Sequence, residues 1–269
     1  MTRSEAHTRF RRWAESLIAH HRTATETTDP PAAEVYQVST ISALLDGVYD
    51  GAETIGELLR HGNFGLGTFN HLDGEMVILD GRCYHLRADG TATPASATDR
   101  TPFAAVMPFR PDVEIAIEGA TTRADLLRRI DAKLVSANLV HGIRIEGRFA
   151  SVRTRTVMAQ SKPYPPLTEA TAGQAEASFE QVTGTLVGFR TPDFEQGISV
   201  AGYHLHFLDS AFTHGGHALD FVLDSGLVAV SQASDLHLHL PTTGPFLQAN
   251  LAAADLSEQI DRSEGGTHS

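Results

Sequence analysis

The sequence predicts an α/β (α+β) fold made of two β-sheet halves with few helices. Short runs of alternating apolar and polar residues recur along the chain, and turn signals such as Asp80-Gly81 separate them. Hydrophobic residues make up 41% of the 269 residues, which is enough for a sizeable core. We expect a mixed sheet in the N-terminal half and a mainly antiparallel sheet in the C-terminal half.

Residues 1–34 are predicted to form an N-terminal extension. Apolar side chains at helical spacing predict an amphipathic helix within residues 8–22. The polar stretch around Asp29-Pro30-Pro31 is typical of a linker that leads into the folded body.

The N-terminal half is predicted to span residues 35–160. Ser39-Thr40 and Thr54 are expected to cap short helices, and Thr122 a longer one, because a serine or threonine hydroxyl can accept from the first free backbone N–H groups of a helix. Strands are expected at residues 35–38, 65–69, 76–79, 83–86, 103–109, 113–117, 140–145 and 149–157, the last two on either side of Gly147.

The C-terminal half is predicted to span residues 161–269, because a proline-rich connector begins at Lys162-Pro163. Strands are expected at residues 183–189, 198–208, 217–223, 226–231 and 236–240, completing an antiparallel sheet. A helix is expected within residues 251–260, followed by a tail of flexible composition.

Composition limits the possible partners and the compartment. No apolar run approaches about 18 residues, the length that would suggest a membrane span, and the charged N-terminus lacks the apolar core of a secretory signal. Cys83 is the only cysteine, so no internal disulfide can form. A net charge of −12 disfavours nucleic-acid binding. We therefore predict a cytoplasmic protein without a membrane or nucleic-acid partner.

Three histidines are predicted to form a metal site. His204 and His206 are two residues apart in a strand pattern, which directs both rings to the same face of a sheet. A turn-rich segment ending in Gly215-Gly216 indicates a hairpin that returns His217 to the pair. Three neutral imidazoles with an open fourth position are typical of catalytic zinc.

Other candidates have ordinary interpretations beside the functional ones. His237 and His239 share the same spacing but have no third partner, so we interpret them as the solvated face of an edge strand. Glu75 is either an exposed strand end or, if it faces the histidines, a proton donor. Arg153 and Arg155 either face solvent or bind a carboxylate. Signatures of organic cofactors, including a Walker loop and GxGxxG, are absent.

Taken together, the motifs resemble those of the acetolactate decarboxylase family. The resemblance covers roughly residues 35–265. It lies in Gly67-Thr68-Phe69-Asn70 with Leu72-Asp73-Gly74-Glu75, Ile143-Arg144-Ile145-Glu146-Gly147, Val152-Arg153-Thr154-Arg155-Thr156-Val157, Gly202-Tyr203-His204-Leu205-His206-Phe207 and Gly215-Gly216-His217.

The resemblance implies a two-part α/β homodimer with one zinc ion per chain, held by His204, His206 and His217, and with no organic cofactor. It implies that Glu75 is catalytic, that Arg155 is an active-site arginine and that Thr68 lines the substrate pocket. A second catalytic glutamate near the C-terminus best matches Glu264, with Glu258 as the alternative.

The implied reaction is the decarboxylation of (S)-2-acetolactate to (R)-acetoin and carbon dioxide, with the metal stabilising an enediolate. The expected activity falls as the pH drops through the titration range of histidine, because only neutral imidazole binds metal. The alternatives are a non-catalytic metal-dependent module that binds a small ligand, and another zinc lyase or hydrolase.

Overall fold

The structure is a computed structural model of the chain, and it describes residues 34–264. These residues all belong to one compact unit. The helix predicted within residues 8–22 lies outside the described residues. Within residues 34–264, no helix combines the length and the apolar character that crossing a membrane requires.

Strands dominate the described part of the chain, and the helices are short. In chain order the strands are β1 (Glu34–Val38), β2 (Glu53–Thr54), β3 (Phe64–Thr68), β4 (Glu75–Leu79), β5 (Arg82–Leu86), β6 (Ala92–Pro94), β7 (Arg100–Thr101), β8 (Phe103–Met107), β9 (Val113–Thr122), β10 (Val140–Thr156), β11 (Ala175–Thr191), β12 (Gly202–Asp209), β13 (Gly215–Ala233) and β14 (Asp235–His239). The helices are α1 (Ile41–Leu45), α2 (Ile55–Leu58), α3 (Arg123–Asp131), α4 (Leu167–Ala170), α5 (Gly244–Gln248) and α6 (Leu256–Glu264).

The first sheet is mixed and has the strand order β14-β1-β8-β3-β4-β5-β6. The β1–β14 pair is parallel, whereas the other neighbours are antiparallel. Strands β4 and β5 are joined by the predicted turn, in which Asp80 and Gly81 both have positive φ (51° and 75°). Two consecutive residues of positive φ are typical of the tight hairpin turn that matches the twist of the strands.

The second sheet is antiparallel and has the order β10-β11-β12-β13-β9, with β10 also paired to β13. Strands β10 and β13 run unbroken for 17 and 19 residues, where the sequence predicted two shorter strands for each. Gly147 does not interrupt β10. Because glycine has no Cβ, the neighbouring strand β13 can approach closely here: a Cβ at Gly147 would lie 2.3 Å from the Ser225 carbonyl oxygen.

The predicted fold class is confirmed, with one change in strand partners. Strand β14 was expected to complete the antiparallel sheet, but it lies at the edge of the first sheet, parallel to β1. Alternation of apolar residues identifies a strand without naming its partner, which explains the difference. Both sheets contain strands from before and after residue 160, so the two predicted halves of the chain do not coincide with the two sheets.

The helix caps form where the sequence placed them. Thr40 accepts a hydrogen bond from the Ala43 amide (3.2 Å), and Thr122 accepts one from the Asp125 amide (3.2 Å). Thr54 forms a capping box with Glu57. Each cap satisfies a backbone donor that the helix itself leaves free.

The two sheets pack face to face, and their shared core positions the site. One buried cluster joins Leu66 and Val77 of the first sheet to Val187 and Leu208 of the second. At one end of this interface, a further apolar cluster includes Ile260 of α6, together with residues of α1 and α4. This packing anchors the C-terminal helix beside the ends of β10 and β12.

Candidate metal centre and active site

The structure brings the three predicted histidines together. His204 and His206 lie on one face of β12, and His206 pairs directly with His217 across the β12–β13 ladder. The ring centroids are 5.0 Å apart for His204 and His206, 5.0 Å for His204 and His217, and 5.4 Å for His206 and His217. Among residues 34–264, these three histidines form a group in which each residue offers one possible metal-binding atom, and these atoms all lie within 4.8 Å of one another.

Backbone carbonyl groups orient two of the rings. His206 Nδ1 lies 2.8 Å from the Met76 carbonyl oxygen, so an Nδ1–H there leaves the Nε2 lone pair free. His217 Nε2 lies 3.1 Å from the Glu264 carbonyl oxygen, which leaves its Nδ1 lone pair free. A hydrogen bond at the far nitrogen commonly fixes the tautomer of a metal-binding histidine.

The imidazoles are neutral because they are buried. Burial lowers the pKa of His204 and of His206 to about 3, and it lowers the pKa of His217 well below the usual range. The positive charge of Arg155 lowers the pKa of all three further. Neutral imidazole is the form that binds metal. Burial therefore moves the expected acid loss of metal binding below the ordinary titration range of histidine.

The donor set fits a zinc ion. His204 Nε2 and His206 Nε2 are 3.2 Å apart. Tetrahedral zinc with Zn–N bonds of about 2.0–2.1 Å places its nitrogen ligands about 3.4 Å apart. Imidazole also suits other divalent transition metals, so the donor set defines the type of site rather than the ion.

Glu264, the last residue of α6, lies beside the histidines. Its Oε2 atom is 3.6 Å from His204 Nε2 and 3.7 Å from His217 Nδ1. Glu258, the alternative predicted from the sequence, lies more than one turn earlier on the same helix, and its side chain is exposed. The structure therefore brings Glu264, and not Glu258, to the candidate site.

Glu75 begins β4 and faces the same group of side chains. Its Oε2 atom is 3.7 Å from His206 Nε2. Burial raises the pKa of Glu75 to about 8, and the negative charge of Glu264 contributes, while Arg155 opposes the shift. The carboxyl group consequently carries a proton at neutral pH, which is the state required of a general acid.

Arg155 is buried, whereas Arg153, the other arginine predicted on the same strand, is not. Its Nη2 atom donates to Glu264 Oε2 (3.4 Å), and it lies 3.5 Å from His217 Nε2. Its Nε is buried and has no hydrogen-bond partner among the described residues. Arg153, two residues earlier on β10, is exposed and lies 3.7 Å from Glu176. The solvent interpretation is therefore right for Arg153, and Arg155 reaches the candidate site.

Thr68 supports the turn that precedes Glu75. Its hydroxyl donates to the Gly74 carbonyl oxygen (2.6 Å). Gly74 has a φ of +77°, and a Cβ there would lie 2.1 Å from the Leu86 carbonyl oxygen, so the turn requires glycine. Thr68 also lines the cavity described below, although its hydroxyl is already used in the hydrogen bond to the Gly74 carbonyl oxygen.

A cavity with about 400 Å³ of space not filled by atoms joins these groups. Both the polar groups of the candidate site and apolar side chains border it. Its lining comprises Ile41, Leu44, Gly67, Thr68, Leu72, Glu75, Phe103, Arg155, Val157, Leu167, Thr171, His204, His206, Ser263 and Glu264. The apolar lining residues could not be predicted from the sequence, because a leucine that lines a cavity has no sequence pattern that distinguishes it from a core leucine.

The second histidine pair lies elsewhere. His237 and His239 are exposed on edge strand β14, as the sequence suggested. Both rings contact Tyr36, with ring centroids 5.1 Å and 6.3 Å from it, and His239 Nδ1 lies 3.0 Å from the Tyr36 hydroxyl. Neither residue lines the cavity that is bordered by His204 and His206.

Two packed sheets with a group of neutral histidines that could hold a metal ion, beside two glutamates and an arginine, define the chain as a β-rich protein with a candidate metal site. Comparison with known proteins identifies the family. The family model described as alpha-acetolactate decarboxylase matches residues 35–253. The chain belongs to the alpha-acetolactate decarboxylase family, and the predicted class of enzyme, a carboxy-lyase, is confirmed.

Individual relatives agree with this assignment. The chain is 47% identical over 237 residues to the alpha-acetolactate decarboxylase of Bacillus subtilis strain 168, covering 88% of this chain and 93% of the relative. It is 48% identical over 219 residues to that of Methylococcus capsulatus, covering 81% and 84%. The crystal structure of the Bacillus subtilis strain 168 enzyme superposes with a TM-score of 0.86, covering 87% of this chain and 100% of that one, at 47% identity.

A more distant structure preserves the same fold. A Staphylococcus aureus protein described as of unknown function and similar to alpha-acetolactate decarboxylase superposes with a TM-score of 0.83 at 31% identity. The superposition covers 86% of this chain and 100% of that chain. The resemblance noted from the motifs is therefore confirmed over most of the chain.

Proposed function

We propose that this enzyme converts (S)-2-acetolactate to (R)-acetoin and carbon dioxide with one zinc ion per chain, held by His204, His206 and His217. The observation that supports the proposal is a cluster of three neutral imidazoles, two of which line one cavity together with a protonated glutamic acid and a buried arginine. Family membership supplies the substrate.

The reaction breaks the bond between the carboxylate and the adjacent carbon, whose electron pair must be stabilised. When bound, zinc supplies Lewis-acid stabilisation for the charge that develops on the ketone and hydroxyl oxygens, which is the charge of an enediolate. The three imidazoles remain neutral, so they add no competing positive charge and leave the cation as the main electrostatic centre.

Arg155 is proposed to bind and orient the substrate carboxylate. The guanidinium is buried, and its Nε has hydrogen-bonding capacity that no described residue uses. Arginine binds a carboxylate through two parallel hydrogen bonds, which fixes the direction of the bond to be broken. Glu264 accepts from Nη2 on one side and so restricts the rotation of the guanidinium.

Glu75 is proposed to deliver the proton that completes acetoin. Its raised pKa keeps the proton on the carboxyl group at neutral pH, and its position 3.7 Å from His206 places that proton beside the reacting centre. Glu264 is the second carboxyl group at the site and is proposed to relay a proton from solvent to Glu75 after each turnover. Thr68, by holding the turn before Glu75, lines and shapes the pocket.

We further propose a cytoplasmic homodimer. The single cysteine suits a reducing compartment, and the family resemblance suggests the dimer. Light scattering of the purified protein tests the oligomeric state, and a monomer at micromolar concentration would rule out the dimer.

The proposed activity is tested by mixing purified protein with acetolactate and measuring acetoin. Chelation is expected to abolish acetoin formation, and stoichiometric zinc is expected to restore it. A protein that binds acetolactate without forming acetoin would instead be a binding module. A zinc protein that neither binds nor converts acetolactate would be another lyase or a hydrolase.

A further inference from the structure

A second cavity borders the metal site from the other side of His204. It contains about 380 Å³ of space not filled by atoms and lies between the two sheets. His204 and Phe103 line both this cavity and the one that contains the other site residues. Most of the lining is apolar, and its polar residues are Gln37, Thr191, Glu195, Ser199 and His204.

His204 differs from the other two histidines at its far nitrogen. His206 and His217 each have a backbone carbonyl oxygen at the nitrogen that faces away from the centre. His204 Nε2 faces the centre, being 3.2 Å from His206 Nε2. Its Nδ1 has no hydrogen-bond partner among residues 34–264. A metal-binding histidine almost always donates this second N–H to a carboxylate, a carbonyl group or a water molecule.

Glu195 supplies an unused acceptor in the same cavity. It ends the short 3-10 turn Asp193–Glu195, and only 6% of its surface is exposed. Its carboxyl group has no hydrogen-bond or ion-pair partner among the described residues, and burial raises its pKa. The carboxyl oxygens are not fully enclosed, so a water molecule in the cavity that Glu195 lines can reach them.

Two neighbouring polar side chains of the cavity, Gln37 and Ser199, are already paired. Gln37 Nε2 donates to the carbonyl oxygens of Ser39 (2.9 Å) and Ile198 (2.8 Å), and Ser199 donates to Gln37 Oε1. These contacts fix one wall of the cavity. They leave the Glu195 carboxyl group free to accept from the interior.

We propose that Glu195 positions His204 through a water molecule in this cavity. The inference rests on the proposed function only in that His204 binds the metal. The Nδ1–H of His204 donates to the water, and the water donates to the Glu195 carboxyl oxygen. This arrangement fixes the tautomer that presents the Nε2 lone pair to the metal and makes the imidazole a stronger ligand. Most of the cavity lining is apolar, so a single water molecule would be held where the polar groups of His204 and Glu195 provide its hydrogen-bond partners.

The test compares zinc affinity in three variants of the full chain, measured by competition with a chelator. Glu195→Leu removes the acceptor and is expected to weaken zinc binding about 10-fold to 100-fold. Glu195→Gln keeps a neutral acceptor of the same shape and is expected to lie between Leu and the wild type. Asp193→Asn, on the exposed side of the same turn, is expected to match the wild type.

A second measurement separates positioning from folding. The melting temperature of the zinc-free proteins reports any purely structural role of Glu195. Weaker zinc binding in Glu195→Gln at an unchanged zinc-free melting temperature supports the proposal. If Glu195→Leu does not fold, Glu195→Gln decides alone. Wild-type zinc affinity in either folded Glu195 variant overturns the proposal.

The acetoin assay keeps this result distinct from the proposed function. Weakened zinc binding in the Glu195 variants, with no acetoin formed by any zinc-loaded protein, supports the role of Glu195 and refutes the decarboxylase proposal. Acetoin formation with unchanged zinc affinity in the Glu195 variants supports the decarboxylase proposal and refutes the role of Glu195.

Discussion

His206 Nδ1 lies 2.8 Å from the carbonyl oxygen of Met76, the residue that follows Glu75 on β4. A histidine of the second sheet is thereby oriented by the strand of the first sheet that carries the candidate acid. The packing of the two sheets, and not either sheet alone, therefore sets the distance between the metal site and the proton donor.

Replacing His206 tests the metal site. His206→Ala is expected to lower bound zinc from roughly one ion per chain to a small fraction, because two imidazoles hold the ion less tightly than three. Metal analysis after gel filtration measures the loss. His237→Ala, which removes an exposed histidine with the same sequence spacing, is the matched control and is expected to retain zinc. Full zinc content in His206→Ala would contradict the ligand assignment.

Replacing Glu75 tests the proton donor. Glu75→Gln is expected to keep zinc and to lower kcat by about 100-fold to 10,000-fold, the usual contribution of a positioned acid. Acetoin formation under saturating substrate, with parallel metal analysis, measures both effects. Glu114→Gln, an exposed glutamate on β9, is the control and is expected to behave as the wild type. An unchanged kcat in Glu75→Gln would remove its catalytic role.

The pKa of Glu75 also predicts a pH dependence of stability in the zinc-free protein. The folded state raises this pKa from 4.5 to about 8, so folding favours the protonated form. The contribution is fully present below about pH 4.5 and is lost as the pH rises through about 8. Denaturant unfolding at pH 6 and pH 9 should show a larger fall in the free energy of unfolding for the wild type than for Glu75→Gln. Equal falls would contradict the raised pKa.

Arg155 and Arg153 form a matched pair for testing carboxylate binding. Arg155→Lys keeps the charge but loses the planar donor set, and charge-assisted hydrogen bonds contribute about 1.5–3 kcal/mol. We expect kcat/KM for acetolactate to fall about 10-fold to 100-fold. Arg153→Lys, exposed two residues earlier, should leave kcat/KM unchanged. Similar effects in both variants would argue against a specific contact from Arg155.

The histidine group and much of the fold could be predicted from the sequence because strand periodicity is local. The two-residue spacing of His204 and His206 fixes their shared face, and the turn before Gly215 returns His217 to them. Periodicity does not reveal which strand lies opposite, so the partner of β14 was predicted wrongly.

Other parts of the site depend on contacts that the sequence pattern does not contain. Arg153 and Arg155 lie two residues apart on β10 and could not be distinguished by their pattern. Only Arg155 is buried, because Glu264 from the distant helix α6 reaches that end of the strand. The Met76 carbonyl oxygen is a backbone atom and has no residue-type signal. Glu195 lies in a short turn without periodicity, so its burial appears only in the folded chain.

His85 offers a test of how the turn before Glu75 is held. Its Nε2 lies 2.5 Å from the Asp73 carbonyl oxygen, and its ring stacks on Phe69 with centroids 4.0 Å apart. His85→Phe preserves an aromatic ring and removes the donor, leaving a carbonyl group without its partner at a cost of about 1–3 kcal/mol.

We expect His85→Phe to lower kcat about 10-fold while zinc content and KM stay near the wild-type values, because the turn positions the acid and not the metal. His61→Phe is the control: its ring stacks on Tyr36 (centroids 3.7 Å apart), and it does not line the cavity. A loss of zinc in His85→Phe, or an equal loss of kcat in His61→Phe, would show that general destabilisation, and not the position of Glu75, accounts for the effect.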